Sequence, residues 1–233
     1  MPHIIVTGSS QGIGAAIARA FAAEPEARLS LIARRADVLQ AVAEECRALG
    51  AQAFVHPCDV TDDAAVARGA AAILERHGAP DVLVNNAGLF RPGDLAGTPV
   101  AVFRTQLNVN LTSAFLLTQA FLPSMLKAGA GSVFFMGSVA SIRAYPGGLA
   151  YCAAKHGLLG LARAVREETK DRGIRVTTLL PGATLTPSWD GADIPEARFM
   201  PPEDVARAIV DVYHLSDRTV VEELLLRPQE GDI

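Results

Sequence analysis

Tyr151 and Lys155 lie four residues apart in Tyr151-Cys152-Ala153-Ala154-Lys155, and their types suggest proton transfer. Residues i and i+4 share a helix face, so the ammonium can sit near the phenol oxygen. A phenol of pKa near 10 is mostly the wrong species to act as a base at neutral pH. A neighbouring cation favours the phenolate, and lowering the pKa by about 3 units corresponds to roughly 4 kcal/mol. Alone, the pair is a weak signal, because any helix can carry it.

The second chemical feature is Thr7-Gly8-Ser9-Ser10-Gln11-Gly12-Ile13-Gly14, between an apolar run and a helical pattern. A glycine-rich turn that opens a helix aims backbone N–H groups and the helix dipole at a pyrophosphate. Gly8 permits the tight turn, Gly12 the close approach to phosphate and Gly14 the packing of helix on strand; Ser10, Gln11 and Ile13 complete the loop. Glycines alone also serve ordinary turns, but after a strand and before a helix they carry more weight. About 20 positions on, an acidic residue usually holds a ribose 2′-hydroxyl, while arginine accommodates a 2′-phosphate. Here the small Ala33 is followed by Arg34-Arg35, which favours NADP(H). Asp37 lies close enough in sequence to keep NAD(H) as the alternative.

The elements that must position these residues alternate along the chain. Strands are expected at His3–Val6, Leu29–Ala33, Ala53–His56, Asp81–Val84, Ser132–Met136, Ile174–Leu180 and Val220–Leu226. Helical patterns cover Ile13–Ala23, Asp37–Leu49, a stretch from a Thr61 or Asp62 cap to His77, Val100–Leu126 in one or two pieces, Leu149–Arg172 and Glu203–Leu215. Residues 187–202, rich in Pro, Gly and Asp, read as a substrate loop or broken helix. Strand–helix alternation implies right-handed crossovers and a parallel sheet covered on both faces. The expectation is an α/β, Rossmann-type doubly wound parallel sheet of about seven strands with helices on both faces, forming a single domain over 1–233.

Half of the 233 residues are hydrophobic, and the net charge of -4 argues against nucleic-acid and anionic-membrane partners. Three cysteines without CxxC spacing fit free thiols in a reducing, cytoplasmic setting. His3, His56, His77, His156 and His214 are scattered without ligand spacing, so no metal is expected. No charged leader precedes an apolar run, and the apolar stretches read as too short for a membrane span.

Several further motifs arrive in order, and together they resemble the short-chain dehydrogenase/reductase family. Thr7–Gly14 resembles its TGxxxGxG loop, Asn85-Asn86-Ala87-Gly88 its NNAG motif, and Asp59-Val60 its adenine-side dipeptide. Asn110 matches the family's helix asparagine, and Ser138, thirteen residues before Tyr151, its serine. Pro181-Gly182 closes the sixth strand, with Thr184 where relatives often have valine and Thr186 where they place a threonine near the nicotinamide amide. The resemblance implies a tetrad. Tyr151 exchanges a proton with the substrate oxygen, and Lys155 lowers its pKa and binds the nicotinamide ribose. Ser138 orients the oxygen, and Asn110 holds a water in a proton relay. Asn108 and Ser141 are rivals on residue type alone, and Asn85 and Asn86 could be chiefly structural.

The implied substrate is a small-molecule aldehyde, ketone or matching alcohol. Phe90, Ile142, Tyr145 and Trp189 suggest an apolar pocket, with Arg91 and Arg143 available as anchors. Relatives often pair two long helices, here with Leu116, Phe121, Leu158 and Leu161, which implies a homodimer or homotetramer. Two other readings compete: a catalytically silent dinucleotide-binding regulator, and an epimerase or dehydratase of the long-chain group. The complete tetrad disfavours the first. The loop spacing and the absence of a sizeable substrate domain after residue 186 disfavour the second.

Overall fold

The computed structural model describes residues 1–232. Seven parallel strands form one sheet: β1 (His3–Thr7), β2 (Arg28–Ala33), β3 (Gln52–Pro57), β4 (Val82–Asn85), β5 (Gly131–Met136), β6 (Ile174–Pro181) and β7 (Glu223–Leu226). Their order is β3-β2-β1-β4-β5-β6-β7. The order reverses between β1 and β4, and a crevice opens beyond the carboxyl ends of strands at such a point.

The strands are continuous apolar runs because both sheet faces are covered. Ile4 and Val6 of β1 enter the core formed with α1 (Gly12–Ala22), α2 (Ala36–Ala48) and α7 (Pro202–Tyr213). The intervening Ile5 enters the opposite core, with α3 (Asp63–His77), α5 (Ser113–Ala128) and α6 (Leu149–Thr169). Asp62 caps α3, its carboxylate accepting from Ala65 N at 2.9 Å.

The structure refines three elements of the sequence reading. The last strand is shorter, Glu223–Leu226, because only these residues pair with β6. The helix expected over Val100–Leu126 is α4 (Val100–Leu107), a widened π turn at Asn108–Thr112, and α5. This continuous helical run, Val100–Ala128, is long and apolar enough by length and composition to cross a membrane, contrary to the reading of short apolar stretches. It nonetheless packs on the sheet, with Leu117, Phe121 and Met125 inside the core. The 187–202 loop holds two short 3-10 turns, Pro187–Trp189 and Glu196–Arg198.

Three histidines scattered in sequence meet in space. The His3 and His77 rings lie 5.5 Å apart, and those of His56 and His77 6.3 Å apart. His3 Nε2 pairs with Ser30 Oγ at 2.9 Å, whereas His3 Nδ1, His56 Nε2 and His77 Nε2 are buried without a partner. Burial pushes His3 and His56 down to about 4, helped by the neighbouring His77 and by Arg28 and Arg76 respectively. These rings are therefore neutral in the fold at neutral pH, while an unfolded chain protonates them below about 6.5. The stability they contribute is complete above that value and is lost as pH falls towards 4. For His3 alone the expected loss by about pH 5 is roughly 2 kcal/mol. Urea denaturation at about pH 7.5 and pH 5 should show the drop, and His3→Gln should flatten it.

Candidate active site

The ends of β1, β4, β5 and β6 open into one cleft of about 1360 Å³. Every residue assigned above to cofactor binding or catalysis lines it, from Gly8 and Arg34 at one end to Ser138 and Tyr151 at the other. At the phosphate loop, Gln11 is the N-cap of α1 and its side chain makes no capping bond. The first amides of α1 are thus left for a ligand. Gly8 has φ +64°, and a Cβ there would lie 2.9 Å from Ala87 Cα. A Cβ on Gly14 would meet Gly8 O at 2.3 Å, so only glycine lets helix and loop close. This narrow amide-lined turn fits a pyrophosphate.

Thr7 is a buried residue that the sequence reading left out of the site. Its Oγ1 accepts from Asn86 N and Ala87 N, both at 3.0 Å, and donates to Val84 O at 3.2 Å. Asn86 Nδ2 returns to Thr7 O at 2.9 Å and Gly8 O at 3.3 Å. Asn86 therefore ties the phosphate loop to β4, while Asn85 turns away to Thr118 Oγ1 at 3.0 Å. A hydroxyl-bearing residue ending an otherwise apolar strand was the available signal for Thr7.

The π turn directs Asn110 inward, where it is 1% exposed. Its Nδ2 donates to Leu89 O at 2.8 Å and Gln106 O at 3.0 Å, and its Oδ1 accepts from Leu89 N at 3.1 Å. Both amide hydrogens are committed to backbone, so the side chain positions the segment after β4. Its rival Asn108 also lines the cleft but is exposed. Gln106, one helical turn earlier and on the same face, does the same for Arg91: it accepts from Arg91 N at 3.1 Å and donates to Arg91 O at 2.9 Å. Its i−4 spacing from Asn110 was the signal for it.

Ser138 ends the link after β5 and caps a short turn, its Oγ accepting from Ala140 N at 3.1 Å. Ser141 is buried, with its Oγ accepting from Ser138 N at 3.2 Å, and it does not reach the cleft. Tyr151 stands in the first turn of α6. Burial pushes its phenol up to about 12, against a hydrogen bond from Ser138 that pulls it down. Lys155, 3% exposed, donates to Met136 O at 2.6 Å and lies 5.5 Å from the centre of the Tyr151 ring. Burial lowers its pKa to about 7. At Tyr151 burial thus outweighs the Ser138 hydrogen bond, and the Lys155 nitrogen points to a carbonyl.

At the other end, Arg34 and Arg35 are exposed beside the cleft, whereas Asp37, also exposed, does not line it. Asp59 Oδ1 accepts from Thr61 N at 3.0 Å and from Thr61 Oγ1 at 2.8 Å. These bonds hold its carboxyl below the usual range, and Arg34 adds to the effect. At the substrate end, Phe90 meets Tyr151 edge to face at 5.2 Å, and Trp189 packs on Phe199 at 5.0 Å. Tyr145, Arg91 and Arg143 also line the cleft. Ile142 does not: its N–H bonds back to Val139 O at 3.1 Å, and the residue lies 48% exposed outside. The C-terminal segment adds Asp232, which pairs with Arg227 at 2.6 Å and Arg143 at 3.6 Å, while Glu230 holds Arg198 of the loop at 3.1 Å.

Residues 2–195 match the family model described as short chain dehydrogenase. The chain belongs to the short-chain dehydrogenase family. It is 40% identical to a sepiapterin reductase of Chlorobaculum tepidum, over 100% of this chain and 99% of that one. It is 36% identical to a D-threitol dehydrogenase of Mycolicibacterium smegmatis, over 88% and 83% respectively. In structure it resembles an alcohol dehydrogenase of the archaeon Thermococcus sibiricus complexed with 5-hydroxy-NADP, with TM-score 0.93, 33% identity and coverage of 100% and 99%. It also resembles a metagenomic short-chain oxidoreductase in complex with NADP, with TM-score 0.87, 35% identity and coverage of 98% and 97%. This short-chain dehydrogenase is an oxidoreductase of CH–OH and C=O groups with the family's Rossmann-type fold.

The Thr7 knot generates a test that needs no substrate. Thr7→Val keeps the shape but leaves Ala87 N without an acceptor, and an orphaned buried donor costs about 1–3 kcal/mol. The urea midpoint should fall accordingly with the slope unchanged, and Thr7→Ser should restore it.

Proposed function

We propose that this short-chain dehydrogenase is NADP(H)-dependent and interconverts an aldehyde or ketone with the matching alcohol, using Tyr151 as the acid/base. The carrying observation is the single cleft that joins the glycine loop and two arginines to Ser138, Tyr151 and Lys155. Two relatives in structure are complexed with NADP or 5-hydroxy-NADP, which supports the cofactor assignment. The ribose end agrees: two guanidiniums line it, and Asp37, the residue that could favour NAD(H), does not.

The cofactor, when bound, supplies or accepts the hydride. The backbone amides of Gly8, Ser10, Gln11, Gly12, Ile13 and Gly14 would hold its pyrophosphate, and Asp59 and Val60 its adenine side. Asn86, Ala87, Gly88, Pro181, Gly182, Thr184 and Thr186 would line its nicotinamide half. The phenol of Tyr151, protonated at neutral pH, donates its proton to the carbonyl oxygen during reduction. Ser138 donates a second hydrogen bond to the same oxygen and stabilises its developing charge, as a preplaced donor can. Lys155, ionising near neutrality, returns a proton towards the tyrosine, and Asn110 holds the adjoining segment in place. Phe90, Tyr145 and Trp189 give the substrate a largely aromatic wall, with Pro187 and Ser188 beside it. Asn108, lying at the cleft, is left without a chemical role.

The same reading makes the chain one dinucleotide-binding and catalytic domain of a cytoplasmic homodimer or homotetramer. Phe121 and Leu158 belong to the core, so pairing would use outward residues of α5 such as Phe115, which is 45% exposed. Light scattering should give a mass at least twice the 24.5 kDa of one chain.

Initial rates on a set of carbonyl compounds and alcohols, sepiapterin and D-threitol among them, test the assignment when NADPH and NADH are compared. NADPH should be preferred, and NADH used equally well would refute the cofactor assignment. Tyr151→Phe should lower kcat by about 100-fold or more with cofactor affinity retained, since general acid–base catalysis contributes on that scale. A near-normal rate in that variant would overturn the role given to Tyr151.

A further inference from the structure

The two arginines at the ribose end are held differently. β1 pairs with β2 so that Thr7 lies beside Ile32, and Gly8 N donates to Ile32 O at 2.8 Å. This register brings the starts of α1 and α2 to the same edge of the cleft. Gln11 caps α1 and Arg35 caps α2, yet neither side chain makes a capping bond. Instead the Arg35 guanidinium donates to Gln11 Oε1 across the gap between the two loops. Arg34, exposed, lines the same cleft.

Neither arginine forms an ion pair among the described residues, although seven other arginines do. A neutral amide oxygen engages one guanidinium N–H and leaves the full positive charge and the other donors available. A carboxylate in its place would neutralise that charge. An exposed arginine also loses on the order of 2 kcal/mol of rotamer freedom when a ligand fixes it, so a partner that fixes it beforehand removes part of that loss. Both cap positions lack Ser, Thr, Asp or Asn, the residues that stabilise helix starts, and both side chains serve this contact.

We propose that Gln11 is a positioning residue for cofactor choice, holding Arg35 across the ribose end so that its charge faces a 2′-phosphate. The inference rests on the NADP(H) reading and adds which arginine is held beforehand: Arg35, set by Gln11, reads the phosphate.

Calorimetric titration with adenosine 2′,5′-bisphosphate and with 5′-AMP tests it without substrate or turnover. Gln11→Ala should weaken the bisphosphate about fivefold, the equivalent of one ordinary hydrogen bond, and change 5′-AMP by less than about twofold. Gln11→Glu, nearly isosteric, should weaken the bisphosphate at least as much, which a purely structural role would not produce. In an Arg35→Ala background, Gln11→Ala should have no further effect, because the residues act as one unit. Equal loss for both ligands, or an undiminished effect in that background, would overturn the inference. An unmodified protein that binds both ligands equally would overturn the cofactor reading and this inference together. A bisphosphate preference that Gln11→Ala leaves intact would overturn this inference alone.

Discussion

Where β1 and β4 end side by side, Thr7 receives the N–H groups of Asn86 and Ala87 while Asn86 reaches back to the carbonyls of Thr7 and Gly8. The strand order reverses at this point, so two chain segments that diverge into different helices must be held together at their ends. Each group in the knot is partly or wholly buried, and its bonds are made in surroundings where an unmet one is expensive. The phosphate loop on one side and the Gly88–Leu89 segment on the other take their positions from it. Asn110 completes the hold from behind, through a widened helical turn that points its amide at Leu89.

Burial also sets the chemistry at the far end of the cleft. Tyr151 is raised to about 12 and Lys155 lowered to about 7 by the same cause, removal from water. The two shifts oppose charge on both groups, so the resting pair is a protonated phenol beside an amine near its midpoint. In the reduction proposed above, that state suits proton delivery to a carbonyl. The Lys155 nitrogen donates to Met136 O.

The scaffold is shared along the whole chain, since relatives of 33–40% identity cover its full length. The Arg35–Gln11 contact and the ion pairs of Asp232 lie on exposed parts of the cleft lining, while Glu230 holds the 187–202 loop through Arg198. Exposed ion pairs contribute little to stability, so these contacts shape the edge of the cleft more than they hold the fold.

The sequence alone determined the architecture, because strand–helix alternation with fully apolar strands admits few arrangements. It also located the glycine-rich turn before α1, since glycine is needed where backbone passes within van der Waals contact of backbone. Ser138 and Asn110 were legible only through family resemblance; spacing did not separate them from Ser141 and Asn108. In the tertiary structure Ser138 lines the cleft while Ser141 turns onto Ser138 N, and Asn110 bonds to Leu89. Tertiary structure also gathered His3, His56 and His77, left Ile142 outside the cleft, brought Asp232 to it and set Thr7 and Gln106 behind the segments that line it. For the contacts between distant segments the physical reason is common. Local patterns encode which residues are helical, extended or apolar, whereas burial and hydrogen-bond partners depend on segments about 20–80 residues away meeting in space.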